Sequence, residues 1–364
     1  MPSSTSNFDF QQPFDFQRPI PALPWRGITV VVVIIVMAAA AAWEIYVRAL
    51  GYAPTLNDTE DLWVQARRTV QPESLVIIGD SRALFDLDFD ELEKGLGKRP
   101  VQLAMAGSCA YPILADLAND ENFHGTVICS IVPGMWFAPG GPLVETSEKA
   151  LKRYREQTVA QRASHHLGMF LEERVAFLKQ EDLTLDKLLA RLPIPNRPYA
   201  QVPPTFPPYF QTVDRERRTR MTEQCAQPGE LQTRVQQIWL PLFTPPPPPT
   251  FVPLEAFMAN VGKAIEGRFR DTAAAVDKLR ARGGKIVFVR FPNSGELKLL
   301  EERLSPREKT WEPLLKSTGT PGIHFEDFTE LSGFTCPEWS HLSAGDSVEF
   351  TKRLVPHLRT ALQL

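Results

Sequence analysis

The segment that most constrains the fold is residues 75–82, which read Leu-Val-Ile-Ile-Gly-Asp-Ser-Arg. Four consecutive apolar residues, three of them β-branched, predict a strand that is buried on both faces, as in a parallel sheet. Gly79 lets the backbone turn sharply where this strand ends. Because ligands bind at the carboxyl ends of strands in open α/β sheets, Ser81 lies where a nucleophile would be placed. The alternative is a strand that stops at a polar turn without any chemistry.

Strand and helix signals alternate on both sides of this segment. The longest predicted helix, residues 254–282, stops at Gly283 and Gly284 immediately before an apolar strand. A helix, a glycine stop and a strand form a crossover unit, so the expected fold class is α/β with a parallel sheet. Five strands are predicted, at residues 75–78, 101–104, 126–132, 285–290 and 323–325, and further helices at 57–70, 89–97 with Asp88 as N-cap, and 113–119.

An apolar segment near the N-terminus is typical of a membrane-spanning helix. Residues 27–43 contain no charged side chain and lie between Arg26 and Glu44. Aromatic residues flank the segment, as expected at the two membrane interfaces. We therefore predict one transmembrane helix over residues 25–47. A buried core helix and a cleaved signal peptide are the alternatives.

The positive charges around this segment predict its orientation. Arg18 and Arg26 precede it, whereas only Arg48 follows closely, which favours a cytoplasmic N-terminus. Residues 1–24 then form a disordered cytoplasmic tail. The expected localisation is the bacterial inner membrane, single-pass, with the main domain periplasmic or extracellular.

A long insertion separates the two parts of the predicted α/β domain, residues 48–138 and 254–364. The insertion, residues 139–253, is helical and charged in its first half and rich in proline in its second, where irregular or polyproline-like segments are expected. We expect it to form a cap over the active face, and the alternative is a disordered or decorative excursion. Its basic cluster is predicted to be a solvated helix face, with contact to anionic headgroups as the alternative, and comprises Arg215, Arg217, Arg218 and Arg220.

Composition excludes some functions. The net charge of −3 gives no electrostatic case for binding nucleic acid. The four cysteines have no CxxC or Cys/His spacing, so no metal site and no cofactor are expected. Disulfides require that the domain lie outside the cytoplasm.

A second segment supplies a candidate general base. A serine hydroxyl is a poor nucleophile unless a base holds its proton and donors stabilise the oxyanion. Glu338 precedes His341 by three residues. On one turn, the carboxylate can reach one imidazole nitrogen while the other nitrogen points toward a nucleophile. Asp327, which follows the last predicted strand, is the alternative acid.

Three blocks together resemble the SGNH (GDSL-like) hydrolase superfamily: Gly79-Asp80-Ser81-Arg82, the glycine in Ala104-Met105-Ala106-Gly107-Ser108, and Glu338-x-x-His341. The resemblance covers about residues 73–360 without the insertion. It implies a three-layer α/β/α, flavodoxin-like fold with a parallel five-stranded sheet. It also implies that Ser81 is the nucleophile, that His341 is the base, and that the backbone N–H groups of Ser81 and Gly107 form the oxyanion hole.

The chain departs from the family pattern in two places. The family acid is usually aspartate, where this chain has Glu338. The family's third block, which supplies an asparagine donor to the oxyanion hole, is not visible after the third predicted strand. The available asparagines, none in a matching motif, are Asn119, Asn122 and Asn293.

Arg82 is placed next to the nucleophile in this comparison. It can bind a substrate carboxylate or phosphate, or form only a salt bridge to Glu91. The sequence leaves both roles open.

The overall architecture resembles membrane-anchored bacterial SGNH-type O-acyltransferases. That likeness implies an acyl donor, a glycan or cell-envelope polymer as acceptor, and a multi-spanning membrane O-acyltransferase as partner. One alternative is an SGNH esterase that deacylates a glycan or lipid. The other is a catalytically decayed scaffold that binds polysaccharide or organises a membrane complex.

Overall fold

A five-stranded parallel sheet organises this computed structural model, which describes residues 23–190, 192, 206–245, 247–248 and 250–364. The predicted tail over residues 1–24 lies outside the described residues except for its last two positions. The strands are β1 Leu75–Ile78, β2 Pro100–Gln102, β3 Thr126–Ser130, β4 Gln211–Val213, β5 Thr219–Met221, β6 Lys285–Arg290 and β7 Gly322–His324. β4 and β5 form a separate antiparallel hairpin.

The described helices account for most of the remaining chain. They are α1 Trp25–Ala49, α2 Glu60–Thr69, α3 Ser81–Phe85, α4 Phe89–Leu96, α5 Tyr111–Asn119, α6 Pro133–Trp136, α7 Pro142–Glu156, α8 Val159–Glu172, α9 Gln180–Leu183, α10 Leu185–Ala190, α11 Glu223–Ala226, α12 Glu230–Phe243, α13 Leu254–Ala281, α14 Gly295–Leu304, α15 Arg307–Thr318, α16 Thr329–Ser332 and α17 Ala344–Leu362. Two short 3₁₀ helices, η1 Ala176–Leu178 and η2 Phe325–Asp327, complete the set.

The order of strands in the sheet is β2-β1-β3-β6-β7, and every neighbouring pair is parallel. Counted within the sheet alone, this is the order 2-1-3-4-5 of doubly wound, flavodoxin-like folds. The chain reverses direction across the sheet between β1 and β3, and such a switch point opens a crevice at the carboxyl ends of both strands. The prediction of an α/β fold with five parallel strands is confirmed.

Helices cover both faces of the sheet, which explains why β1 is apolar throughout. Leu75 and Ile77 belong to one core cluster, together with residues of α3, α4 and α17. Val76 and Ile78 belong to the other, together with residues of α2, α5 and α13. Because successive side chains of a strand point to opposite faces, each face of β1 needs its own apolar residues.

Several helix ends follow their local sequence signals. The side chain of Asp88 accepts hydrogen bonds from the N–H groups of Asp90 and Glu91 at 3.1 Å each, which confirms it as the N-cap of α4. Gly97, with φ +74°, ends α4 one residue earlier than predicted. α13 ends at Ala281, and Gly283 then has φ +87°, a conformation that glycine adopts without strain.

The N-terminal helix α1 is continuous from Trp25 to Ala49, two residues longer than predicted. An 18-residue window within it has a mean hydropathy of 2.5. It is therefore long and apolar enough to cross a bilayer. A signal sequence near an N-terminus meets the same criterion.

The insertion contains more regular structure than its composition predicts. Its first half is helical as expected, from α7 to α10. Its second half contains the β4–β5 hairpin, α11 and α12, although residues 206–208 are irregular as expected. Residues 193–205, including the predicted polyproline-like pair 203–204, lie outside the described residues. Gly51–Leu364 forms one compact unit, so the insertion packs with the sheet domain.

The prediction that the basic cluster lies on a helix face is wrong. These arginines lie on and around the β4–β5 hairpin and are paired with acids. Arg217 is fully buried and binds both carboxylate oxygens of Asp58, at 2.7 and 2.8 Å. Folding requires such pairing because a buried guanidinium without a partner is strongly unfavourable. The other pairs are Arg215 with Glu173, Arg218 with Asp90 and Asp214, and Arg220 with Asp88.

Candidate active site

The turn after β1 places Ser81 at the carboxyl edge of the sheet. Gly79 has φ +150°, and a Cβ atom there would lie 2.4 Å from Cβ of Ser130, so no larger residue fits. The buried carboxylate of Asp80 accepts hydrogen bonds from the N–H of Arg82 and the hydroxyl of Ser130, both at 2.9 Å. Asp80 thus caps α3 and joins the end of β1 to that of β3. Ser81 is the first residue of α3 and is half-buried.

Ser81, His341 and Glu338 form a continuous hydrogen-bonded chain. The Oγ atom of Ser81 lies 2.8 Å from Nε2 of His341, although the two residues are 260 positions apart. Nδ1 of His341 lies 3.1 Å from Oε1 of Glu338. A carboxylate at Nδ1 keeps the proton on that nitrogen, so Nε2 accepts the hydrogen bond from the serine hydroxyl.

Glu338 is fully buried, and its carboxylate accepts several hydrogen bonds. Oε1 accepts from the backbone N–H groups of Ser340 and His341, while Oε2 accepts from the indole N–H of Trp239 on α12. These donors compensate for the loss of water around the charge. The alternative acid, Asp327, instead pairs with Arg307 at 2.6 Å. The acid that contacts His341 is therefore Glu338.

The turn that carries Glu338 and His341 is held by the loop after β6. Trp339 has φ +78°, an uncommon value for a residue with a side chain. Its carbonyl oxygen accepts from the N–H of Ser294 at 2.8 Å, and the hydroxyl of Ser294 accepts from the N–H of Cys336 at 2.9 Å. A Cβ atom at Gly295 would lie 2.4 Å from Nε1 of Trp339. Surrounding contacts thus maintain a strained turn beside the candidate base.

Aromatic side chains surround the imidazole of His341, which is 1% exposed. The ring centroid of Phe85 lies 4.3 Å away in a stacked arrangement, that of Trp239 5.7 Å and that of Phe210 6.1 Å. Sequence reasoning missed all three. Phe85 follows Ser81 by one helical turn, which would have indicated it, but Phe210 and Trp239 belong to the insertion and have no local signal.

The chain that leaves β2 places Gly107 at the same edge of the sheet as Ser81. The N–H of Met105 donates to the carbonyl of Gly79 at 3.0 Å, so this segment runs alongside the turn that precedes Ser81. Gly107 has φ +58° and is exposed, and a Cβ atom on it would meet nothing within 4 Å. Gly107 is thus exposed and has free space around its Cα atom.

In the described part of the chain, no asparagine lies directly after β3, where the resemblance places the third oxyanion donor. The segment after this strand enters α6, and residues 131–138 contain no asparagine. Asn293 donates to Glu301 at 3.0 Å, and Asn119 accepts from Lys278 at 3.0 Å. Asn122 lies in the exposed turn before β3.

Neither role expected for Arg82 is found. The residue is 1% exposed, so a substrate does not reach it, and its predicted partner Glu91 instead approaches Lys94 at 3.6 Å. The guanidinium of Arg82 binds both carboxylate oxygens of Glu301, which also accepts from Arg290. Burial alone would raise the pKa of Glu301, but the two guanidinium groups lower it to about 2.

A second buried carboxyl group lies beside this chain of hydrogen bonds. Asp86, at the end of α3, is fully buried, and its Oδ1 accepts from the N–H of Leu342 at 2.8 Å. Its Oδ2 has no hydrogen-bond partner within the described residues. Burial raises the pKa of Asp86 well above 3.8, against the opposing effects of the Leu342 N–H and Arg82. Asp86 therefore joins the helix that starts at Ser81 to the residue after His341.

All four cysteines lie in the described ranges and are buried free thiols. The chain thus reaches this fold without a disulfide between them. No protein-family model matches the chain, and no curated protein matches it either.

Proposed function

We propose that this protein is a membrane-anchored SGNH-like serine acyl-transfer enzyme. The observation that carries the proposal is the hydrogen-bonded chain Ser81–His341–Glu338 at the switch point of a doubly wound sheet. A nucleophile, a base and a group that orients the base, each within hydrogen-bond distance of the next, are the arrangement that activates serine.

The reaction follows from this geometry in two steps. Oγ of Ser81 attacks the carbonyl carbon of an acyl donor while Nε2 of His341 takes the hydroxyl proton and later gives it to the leaving group. The acceptor hydroxyl then loses its proton to Nε2 and attacks the acyl-enzyme, and Oγ of Ser81 leaves and regains that proton. Glu338 stabilises the imidazolium in both steps, and the N–H groups of Ser81 and Gly107 supply two donors for the oxyanion.

The aromatic wall around His341, which consists of Phe85, Phe210 and Trp239, favours a transferase over an esterase. Phe210 and Trp239 from the insertion cover His341, which limits the access of water to the base. We propose O-acyl transfer to a glycan or cell-envelope polymer, with acetyl as the simplest acyl group. A multi-spanning membrane acyltransferase is the proposed source of the acyl group, and the proposed location is the periplasmic side of a bacterial inner membrane, with the N-terminus cytoplasmic.

A serine-reactive fluorophosphonate tests the nucleophile in the full-length, detergent-solubilised chain. We expect one covalent adduct on Ser81, none in Ser81→Ala, and labelling slower by about two to four orders of magnitude in His341→Ala because the general base is lost. Ser332→Ala, which removes an exposed hydroxyl, is the matched control. Equal labelling of Ser81→Ala would show that the nucleophile is elsewhere.

Acceptor choice is tested with an activated acetyl ester and an oligosaccharide. Mass spectrometry should detect acetylated sugar whose formation requires Ser81. Free acetate without acetylated sugar would identify an esterase. An unreactive chain that still binds oligosaccharide would identify the scaffold alternative.

A further inference from the structure

An open cavity of about 400 Å³ lies at the carboxyl ends of β6 and β7. Its inner wall is made of polar residues that are almost fully buried. Arg290 ends β6 and is 8% exposed, His324 ends β7 and is 6% exposed, and Asn293 and Glu301 lie between them. In doubly wound sheets, this edge is where ligands bind.

The wall of this cavity is directly connected to the candidate active site. Glu301 binds the guanidinium of Arg82, the residue that follows Ser81. On the other side, the residue after Asn293 is Ser294, which donates its N–H to Trp339, between Glu338 and His341. The wall of the cavity therefore contacts both the segment that carries the nucleophile and the turn that carries the base.

The inner wall contains charges of both signs. Two guanidinium groups, of Arg82 and Arg290, share the single carboxylate of Glu301. The carboxylate of Asp80 also lies near both arginines and balances the second positive charge. Arg82 lies behind the wall, whereas Arg290 lines the cavity. The guanidinium group that borders the open space is therefore that of Arg290.

His324 adds a hydrogen-bond donor without a partner. Its Nδ1 accepts from the N–H of Glu326 at 3.3 Å, so the proton of the neutral ring is on Nε2. Within the described residues, Nε2 has no hydrogen-bond partner and is accessible to solvent. Burial lowers the pKa of His324 to about 4, so the ring is a neutral donor at pH 7.

Charged residues of both signs lie at the rim of the cavity. Lys298 is paired with Glu326, and Arg307 with Asp327. Two further rim acids, Glu302 and Glu308, are exposed, so water and salt screen their charges. The buried donors of Arg290 and His324 therefore decide which group the cavity accepts.

We propose that this cavity binds an anionic group, a carboxylate or a phosphate, of the acyl acceptor, while a hydroxyl group of the same molecule approaches Ser81. A guanidinium and an imidazole N–H are suited to anionic oxygens, and charge-assisted hydrogen bonds are the stronger ones. The role of the ligand as acceptor rests on the proposed acyl-transfer function, whereas the binding of the anion does not.

The test measures binding in full-length Ser81→Ala, which has no nucleophile. Glucuronate, glucose 1-phosphate and glucose are titrated calorimetrically into the detergent-solubilised chain. We expect at least one charged sugar to bind about tenfold or more tightly than glucose, because a hydrogen bond to a charged group contributes that much affinity. Preference between the two charged sugars identifies carboxylate or phosphate as the group recognised.

Substitutions of His324 test whether the anion binds in this cavity. His324→Phe keeps a ring between Trp311 and Phe325 but removes the donor. Binding of the charged sugar should therefore become about tenfold weaker. His324→Gln, which keeps a donor, should restore part of the affinity, and His357→Phe on α17 should change nothing. Equal binding of glucose, no binding of any of the three sugars, or full affinity in His324→Phe would each overturn the proposal.

The binding result is independent of the proposed function. Anion binding in Ser81→Ala together with no fluorophosphonate adduct in the wild-type chain would retain the cavity and reject acyl transfer. An adduct at Ser81 without anion binding would do the reverse.

Discussion

Two buried carboxyl groups near His341 differ in the number of hydrogen bonds that they accept. Glu338 receives hydrogen bonds from two backbone N–H groups, from the imidazole and from an indole. Asp86 receives one, from Leu342, and its second oxygen has none within the described residues. Burial with few donors raises the pKa of Asp86. Both residues bind backbone N–H groups of the same turn.

The raised pKa of Asp86 predicts a pH dependence of stability. Its pKa is higher in the folded chain than the 3.8 of the unfolded chain, so the folded state binds more protons. The stability that this group contributes is present below pH 3.8 and is lost as pH rises toward the folded pKa, at up to about 1.4 kcal/mol per pH unit. Asp86→Asn keeps the acceptor for Leu342 and cannot ionise. Its melting temperature should exceed that of the wild type at neutral pH, by more at pH 8 than at pH 5.

Two further variants serve as controls for this dependence of stability on pH. Asp86→Ala leaves the N–H of Leu342 without an acceptor and should be less stable than Asp86→Asn by about 1–3 kcal/mol at every pH. Asp277→Asn, which changes an exposed carboxylate of α13, should have little effect. An Asp86→Asn chain that melts below the wild type at pH 8 would show that the folded protein needs the charged form.

At the scale of elements, α12 is the part of the insertion that completes the candidate site. Its Trp239 donates to Glu338, and its Gln236 donates to the carbonyl of Pro337 at 2.8 Å. The helix therefore binds the turn that carries the acid and the base at two points. The proline-rich composition of residues 193–253 predicts irregular chain, but a helix with buried Val235, Ile238 and Trp239 forms here because it packs on an existing core.

The indole of Trp239 predicts a measurable effect on nucleophile activation. Trp239→Phe keeps the aromatic wall but leaves Oε2 of Glu338 without its side-chain donor. Because a hydrogen bond to a charged group contributes about 1.5–3 kcal/mol, the rate of fluorophosphonate labelling at Ser81 should fall about tenfold or more. Phe243→Leu is the matched control, since Phe243 contacts Trp239 but not Glu338. Unchanged labelling in Trp239→Phe would assign the indole a packing role alone.

At the scale of the whole molecule, the chain has two units of different character. Met1–Leu50 contains the apolar helix α1, and Gly51–Leu364 contains the sheet and the candidate site. The two units differ in character: an 18-residue window of α1 has a mean hydropathy of 2.5, whereas the second unit buries apolar residues on both sides of a sheet.

Membrane anchoring by α1 predicts resistance to alkaline extraction. The wild-type chain should remain with the membrane after carbonate treatment at its full mass. Ile34→Arg together with Ile35→Arg places two charges near the centre of the helix, at about 2.5–3.5 kcal/mol each, and should release the chain. Ile34→Leu with Ile35→Leu should not. If the mature chain instead begins after the end of α1, this segment is a cleaved signal peptide.

Local patterns in the sequence determined much of the fold and part of the candidate site. The apolar run of β1, the cap at Asp88 and the glycines after α13 act on residues within one turn, so their effects can be predicted without knowledge of the fold. The pairing of Glu338 with His341 is of the same kind, because the two are three residues apart. The expected strand 101–104 was displaced to Pro100–Gln102 and the expected strand 126–132 ended at Ser130, since strand ends depend on the neighbouring strand.

Only the tertiary structure decided which distant residues meet. It brings Ser81 to His341 across 260 positions, Arg82 to Glu301 across 219 and Trp239 to Glu338 across 99. Arg82 illustrates the reason: among the acids that could neutralise it, the chain selects the one that the packing of α14 buries beside it, and Glu91 remains with Lys94. Sequence by itself determined the strands of the parallel sheet and which residues could do chemistry, whereas the β4–β5 hairpin, α11 and α12 of the insertion were not predicted. The choice of partners belongs to the fold, because a contact between remote residues exists only where the burial of apolar surface brings their elements together.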